Sequence, residues 1–288
     1  MNSILNNIIF HRPADVPSAC ALLASLPNAA ILAGGTDLVV KLRNGVLPVV
    51  TDLVDVGGLR LSAIALADGK LRIGSGCTME QIRTDPLVAA RFPALVSAVG
   101  QVGALQIRHA ATIGGNVGNA SPAGDSIPAL LSLEASVVLT GPKGSRTVPL
   151  ADFFTGPGRT VMQKGDLIEA FELPDRPTKG CFHKMGERLA HAISKVSLAL
   201  TTWDVGAGKR AVRIALGAVA PKVIRAVAAE KILEAEAWPP KKELLERAVQ
   251  AACEAATPID DVRSTKGYRK KMAGVLLERA VRSLPDAL

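Results

Sequence analysis

A chain of 288 residues is long enough to bury a full core and to divide into two or three domains. Its 48% hydrophobic content excludes general disorder, and no run of about 18 apolar residues is present to span a membrane as a helix. A formal net charge of +8 raises the question of nucleic acid, but only 3% of the residues are aromatic and the basic ones are dispersed, apart from Lys241-Lys242 and Arg269-Lys270-Lys271; solvated basic faces or an acidic partner subunit fit better than DNA.

The N-terminus (Met1 to Asn7) has neither a basic n-region nor a cleavage-site pattern and does not read as a signal peptide. Cys20, Cys77, Cys181 and Cys253 are scattered singly, with no CxxC spacing, so no zinc or iron–sulfur site is encoded. Buried thiols in a reducing cytoplasm are the expected state. Asp15 is placed to cap a helix with Pro17 in its first turn and Cys20, Leu22 and Leu23 on its apolar face. Residues 30–32 form a short buried strand, followed by the loop Ala33-Gly34-Gly35-Thr36-Asp37-Leu38. Thr36 or Asp37 then caps a helix through Leu38, Val39 and Leu42 that stops at Asn44-Gly45, and residues 49–54 are a second strand. Together these make a small βαβ-like module.

A second segment opens near Gly57-Gly58, with strands at 61–66 and 70–74 and helices starting near Thr78 and Ala94. Residues 112–125 read as one long loop of Gly, Asn, Ser and Pro ending in Asp125, and a helix follows over 126–133. Residues 135–139 and 144–148 form a hairpin, 167–173 alternate as a strand, and 174–180 read as a linker. Beyond it come strands near 197–203 and 211–219 and helices beginning near Val223, Lys241 and Gly267. Leu244, Leu245, Ala248, Val249 and Ala252 mark one apolar face of the middle helix.

The two glycine segments carry the chemistry. Gly34 and Gly35 can turn tightly and present main-chain N–H groups, and Thr36 adds a hydroxyl donor. The G-x-G-x-x-G of a dinucleotide fold and the Gly-Lys-Ser/Thr of a P-loop are both missing, and a Gly-Gly turn alone is more often a plain strand-to-helix corner. The second segment offers Asn116, Asn119 and Ser121 as donors and Asp125 as an acceptor for sugar or ribityl hydroxyls; its bland alternative is a glycine-rich surface loop. Two anion-cradling loops in one chain suggest a nucleotide cofactor with more than one phosphate. Lys184 either neutralises part of a pyrophosphate or is a solvated strand residue, and His109 and His191 lack positioned partners. With no nucleophile triad, no paired acid/base carboxylates and no metal cluster, any chemistry must reside in a bound cofactor.

Ala33-Gly34-Gly35-Thr36-Asp37-Leu38, Ala111-Thr112-Ile113-Gly114-Gly115-Asn116, then Ala120-Ser121-Pro122 and Asp125, resemble the FAD-binding medium subunit of the xanthine dehydrogenase/carbon monoxide dehydrogenase family of molybdenum hydroxylases. Further matches are Gln106-Ile107-Arg108, Phe154-Thr155-Gly156-Pro157-Gly158, Leu216-Gly217-Ala218-Val219-Ala220-Pro221 and Tyr268-Arg269 with Met272 and Val275-Leu276. The resemblance runs over essentially the whole chain. It implies an α+β fold: two α/β FAD-binding subdomains of the vanillyl-alcohol-oxidase/PCMH type (1–57 and 58–176), then a C-terminal α+β domain of the CO dehydrogenase flavoprotein type (181–288). It also implies that Ile31, Leu32, Ala33, Gly34, Gly35, Thr36, Asp37 and Leu38, with Thr112, Ile113, Gly114, Gly115 and Asn116, hold the pyrophosphate and adenosine part of FAD.

By the same resemblance Asp125 matches a cofactor-contacting aspartate and Lys184 a lysine near the cofactor. Leu167 or Ile168 meets the flavin edge through main chain, and Val102 stands where some relatives stack an aromatic. No catalytic side chain or metal ligand is implied on this chain, and the cysteine-bearing insertion that some relatives use for a four-iron cluster is absent between Pro122 and Asp125. The implied function is electron transfer: a large molybdenum–pterin subunit oxidises the substrate, a small subunit carries two [2Fe–2S] clusters, and FAD passes electrons to an acceptor such as NAD+, in a cytoplasmic heterotrimer or its dimer. The stretch 154–158 leans toward the xanthine dehydrogenase branch, putting a purine or N-heterocycle slightly ahead of an aldehyde or carbon monoxide as substrate. A stand-alone flavin oxidoreductase of the same FAD fold and a basic nucleic-acid-binding protein are the competing readings.

Overall fold

A computed structural model describes residues 8–188 and 190–284; the N-terminal segment read above for a signal peptide lies outside the described residues. The first unit is a parallel three-stranded sheet. β1 (Ile9–His11) leads through α1 (Val16–Ser25) to β2 (Ala29–Leu32), and α2 (Leu38–Arg43) returns the chain to β3 (Asp52–Asp55), which lies between β1 and β2. Asp15 caps α1 by accepting from the Ser18 N–H at 2.8 Å, with Pro17 in the first turn, as expected. The βαβ pattern is therefore present, with β1 added at the sheet edge. Three residues are too few to show a hydrophobic period, and Ile9 and Phe10 are exposed, so that strand has no sequence signal.

The second unit opens with β4 (Ile64–Ala67) and β5 (Lys70–Gly74). Five short helices follow: α3 (Met79–Thr84), α4 (Pro86–Arg91), α5 (Pro93–Gly100), α6 (Leu105–Ala110) and α7 (Ile113–Gly118). Then come α8 (Ser126–Ser132), β6 (Ser136–Gly141), β7 (Gly144–Pro149), α9 (Leu150–Phe153), β8 (Phe154–Gly156), β9 (Arg159–Thr160) and β10 (Leu167–Pro174). β4-β5-β10-β6-β7 form an antiparallel sheet. Leu71 and Ile73, Phe171 and Leu173, and Val137 and Leu139 sit at alternate positions of its three central strands. All six are fully buried with Ile82, Leu95, Ile113 and Leu130 of the helices. Residues 112–125 are not one open loop, because Thr112 caps α7 inside it.

The third unit is an antiparallel sheet of β11 (Lys179–Met185), β12 (Val196–Gly206), β13 (Lys209–Gly217) and β14 (Ile224–Arg225), followed by α10 (Val227–Glu234), α11 (Lys242–Ala255) and α12 (Lys266–Ser283). The stretch read as a linker is shorter than expected, since β10 runs to Pro174 and β11 starts at Lys179, leaving residues 175–178 as the connection. The helix placed near Val223 starts at Val227, after β14. On α11, Leu244, Leu245, Ala248 and Ala252 are buried and Val249 packs beside them, the face that the periodicity marks.

β12 is covered on both sides. Leu198 and Leu200 face the core under α10–α12, while Ala199 and Ala215 belong to the core of the second unit, against α5 and α8. Small or hydroxylated residues on that second face (Ser197, Ala199, Thr201) let α8 approach closely, and Ser132 Oγ lies 2.7 Å from Thr201 Oγ1. Glu134 ties the rim of this joint. Its carboxylate accepts from Arg176 and Arg213, both at 2.6 Å, and the Arg176 guanidinium stacks 3.6 Å over the Trp203 ring.

Burial works to raise the Glu134 carboxyl, but the hydrogen bonds from Arg176 and Arg213 outweigh it and hold the group below the usual glutamate range. A depressed folded pKa stabilises the protein above the ordinary carboxylate range and is lost as pH falls through the folded value. Glu134→Gln should therefore lower the thermal midpoint near pH 7, and its gap from the parent should narrow as pH drops below about 4. Melting curves across that range check this, and a gap independent of pH would refute it.

Candidate functional site

β2 is an edge strand, and its last carbonyl, that of Leu32, accepts from the Val56 N–H at 2.9 Å as the chain leaves the sheet. Gly35 turns the loop with φ +68°, a conformation that favours glycine. The carbonyls of Gly35 and Asp37 accept from Val39 and Lys41 and start α2. The main-chain N–H groups of Ala33, Gly34, Gly35, Thr36 and Asp37 donate to nothing among the described residues. Five successive donors thus stay open in one loop, the arrangement that an anion fills.

The second motif is built differently. Thr112 Oγ1 accepts from the Gly115 N–H at 3.0 Å, and the Asn116 N–H bonds to the Thr112 carbonyl. The N–H groups of Ile113 and Gly114 donate to the carbonyls of Cys77 and Ser75, each at 2.9 Å. All four amides are engaged within the protein, so the expectation of a second amide cradle gives way to a wall. Its glycines serve close approach: a Cβ on Gly114 would come within 2.6 Å of the Ser75 side chain. A Cβ on Gly34 would lie 1.9 Å from the Ala110 carbonyl oxygen, so the first loop seats directly against the peptide that precedes the second motif. That peptide is fixed from behind, where the Met79 N–H bonds to the Ala111 carbonyl and Arg108 Nε lies 3.2 Å from Glu80. Arg83 and Arg108 draw the Glu80 carboxyl down to about 2.

Between the motifs lies a cleft of about 570 Å³, within the range of small-molecule and cofactor sites. Ile31, Ala33 to Leu38, Thr112, Gly114, Gly115, Asn116, Leu167 and Ile168 all line it. Leu32 stays in β2 and Ile113 is fully buried in the core behind it. Val102, Asp125 and Lys184 do not line it. Val102 packs against the second unit's core, and its carbonyl accepts from Arg108.

Lys184 and Asp125 form a buried ion pair at 2.7 Å, with side chains 6% and 9% exposed. The ammonium also donates to the carbonyls of Gln101 at 2.8 Å and Ala192 at 3.1 Å, while Ser194 Oγ donates to the second Asp125 oxygen at 2.6 Å. Burial pushes the Asp125 carboxyl up, against the opposing pull of Lys184 and Ser194. All three ammonium donors are engaged, so the anion that Lys184 meets is Asp125, and the pair pins β11 to the end of α5 and the start of α8. The sequence reading gives no part to Lys41 and the 164–166 turn, which also line the cleft. Lys41 could have been found from its i,i+4 spacing to Asp37. The turn has no motif of its own and enters the cleft only because β10 leads there.

Residues 6–176 match the family model described as "FAD binding domain in molybdopterin dehydrogenase", and residues 181–284 match "CO dehydrogenase flavoprotein C-terminal domain". The chain is 32% identical to the xanthine dehydrogenase FAD-binding subunit of Escherichia coli O157:H7 and 33% identical to the carbon monoxide dehydrogenase medium chain of Afipia carboxidovorans, in each case over 94% of both chains. It superposes with TM-score 0.91 and 30% identity on a chain of carbon monoxide dehydrogenase from Hydrogenophaga pseudoflava, covering 98% of this chain and 97% of that one. The chain belongs to the FAD-binding subunit family of the molybdenum hydroxylases, the family of xanthine and carbon monoxide dehydrogenases, and is an oxidoreductase subunit.

Removing one member of a buried pair strands the other. Lys184→Met should cost about 3–5 kcal/mol of unfolding free energy in a denaturant titration, and combining it with Asp125→Asn should recover a clear part of that loss. Equal costs for the single and double variants would contradict the pairing.

Proposed function

We propose that this chain is the electron-transfer subunit of a xanthine dehydrogenase-like molybdenum hydroxylase. It would stand between [2Fe–2S] clusters on a small partner subunit and an acceptor such as NAD+, with the substrate, a purine or N-heterocycle, oxidised on a large molybdenum–pterin subunit. The observation that carries this reading is the run of five open amides from Ala33 to Asp37, facing a glycine wall across a cleft of cofactor size. Those amides take the diphosphate of FAD. Thr112, Gly114, Gly115 and Asn116 form the opposite wall, Leu167 and Ile168 meet the flavin edge, and the Lys184–Asp125 pair holds the neighbouring elements in place. FAD, when bound, supplies a centre that exchanges electrons singly with iron–sulfur clusters and in pairs with a nicotinamide.

The residues around the cleft have three tasks: binding, orientation and keeping the walls at fixed spacing. The division at 57/58 and at 176/181 belongs to the same reading. A basic chain suits acidic partner surfaces, and the assembly would be a heterotrimer or its dimer. Among the described residues no helix is long and apolar enough to cross a membrane, and the four cysteines are free, which supports a cytoplasmic location.

The purified native complex should show the flavin band near about 450 nm, with close to one FAD per copy of this chain, and NADH should bleach it anaerobically. A colourless complex that takes up no added FAD would refute the cofactor assignment; a yellow one indifferent to NADH would refute only the acceptor.

A further inference from the structure

Four charged residues line the cleft: Asp37, Lys41, Lys164 and Asp166. Asp166 is neutralised, because Arg146 holds both its carboxylate oxygens and the Gln163 N–H donates to it. Lys164 is exposed and has no hydrogen bond or ion pair among the described residues. Lys41 is different. It lies one helical turn after Asp37, so its ammonium reaches back to the loop that carries the open amides. There it sits 2.6 Å from the Asp37 carboxylate, on one wall, and 2.7 Å from Asn119 Oδ1, on the other. Its side chain is 37% exposed, and two of its three N–H donors are accounted for.

We infer that Lys41 is the side-chain cation that meets the cofactor's diphosphate, held between the two walls by Asp37 and Asn119. This rests on the FAD reading of the cleft. Main-chain amides supply dipoles but no net charge, and a diphosphate arrives doubly charged. The Asp37 carboxylate on the same loop would repel it; Lys41 offsets that carboxylate and adds a charge-assisted donor of its own. Its two anchors fix the ammonium without saturating it, unlike Lys184, whose three donors are all engaged.

The test uses the full chain stripped of flavin and titrated with FAD and with ADP by calorimetry, at low and high salt. Lys41→Met should weaken both ligands on the order of tenfold and flatten the rise of Kd with salt. Lys41→Arg should keep most of the affinity and the salt dependence, and Asp37→Asn should tighten binding by removing the competing carboxylate. Lys164→Met should have a smaller effect than Lys41→Met. The inference is overturned if Lys41→Met melts like the parent yet binds ADP equally well, or if it weakens binding while keeping the parent's salt dependence. A parent chain that binds neither ligand overturns the FAD reading itself.

Discussion

The site depends on one close approach, that of the Gly34 backbone to the Ala110 carbonyl. No side chain fits between them, so the first loop and the segment leading into Thr112 meet main chain to main chain. Around that contact the roles divide. The first loop keeps its amides open because β2 is an edge strand that the chain leaves at Leu32. The second motif gives its amides to Ser75, Cys77 and its own cap, and so becomes rigid. A loop with open donors set against a wall whose amides are already bonded suits a large polar ligand, since one surface sets the position of the other.

Much of the fold is legible in the chain itself. Asp15-x-Pro17, the alternation in residues 167–173 and the apolar face of α11 are local signals, and local signals survive into the structure. What cannot be read locally is which partner a polar group finds. The string Thr112 to Asp125 looks like a loop because glycine and asparagine weaken a helix, yet Thr112 caps a six-residue helix there, packed by Ile113 and Val117. The 174–180 stretch looks like a linker because of its two prolines and glycine; the connection is only residues 175–178, because a strand end claims each side of it.

The site shows the same limit. Both glycine motifs and Leu167-Ile168 converge on the cleft, and all of them carry a sequence signature. Lys184 and Asp125 are 59 positions apart, and nothing in either neighbourhood says that each is the other's counter-ion. Spacing along the chain is silent about such a pair, because the pairing is made by β11 crossing the end of α5, a tertiary event. Lys41 is half legible: its i,i+4 spacing to Asp37 marks that pair, but only the fold brings Asn119 to it from the opposite wall.

The twofold coverage of β12 has a structural corollary. A strand whose odd and even residues belong to separate cores cannot be detached from either without opening one of them to water. The halves matched by the two family models are therefore a poor place to cut the gene. A fragment ending after Pro174 would bare α5 and α8, and one beginning at Lys179 would bare Ala199, Thr201 and Ala215. The seam between the matched segments is thus crossed by packing that both sides share.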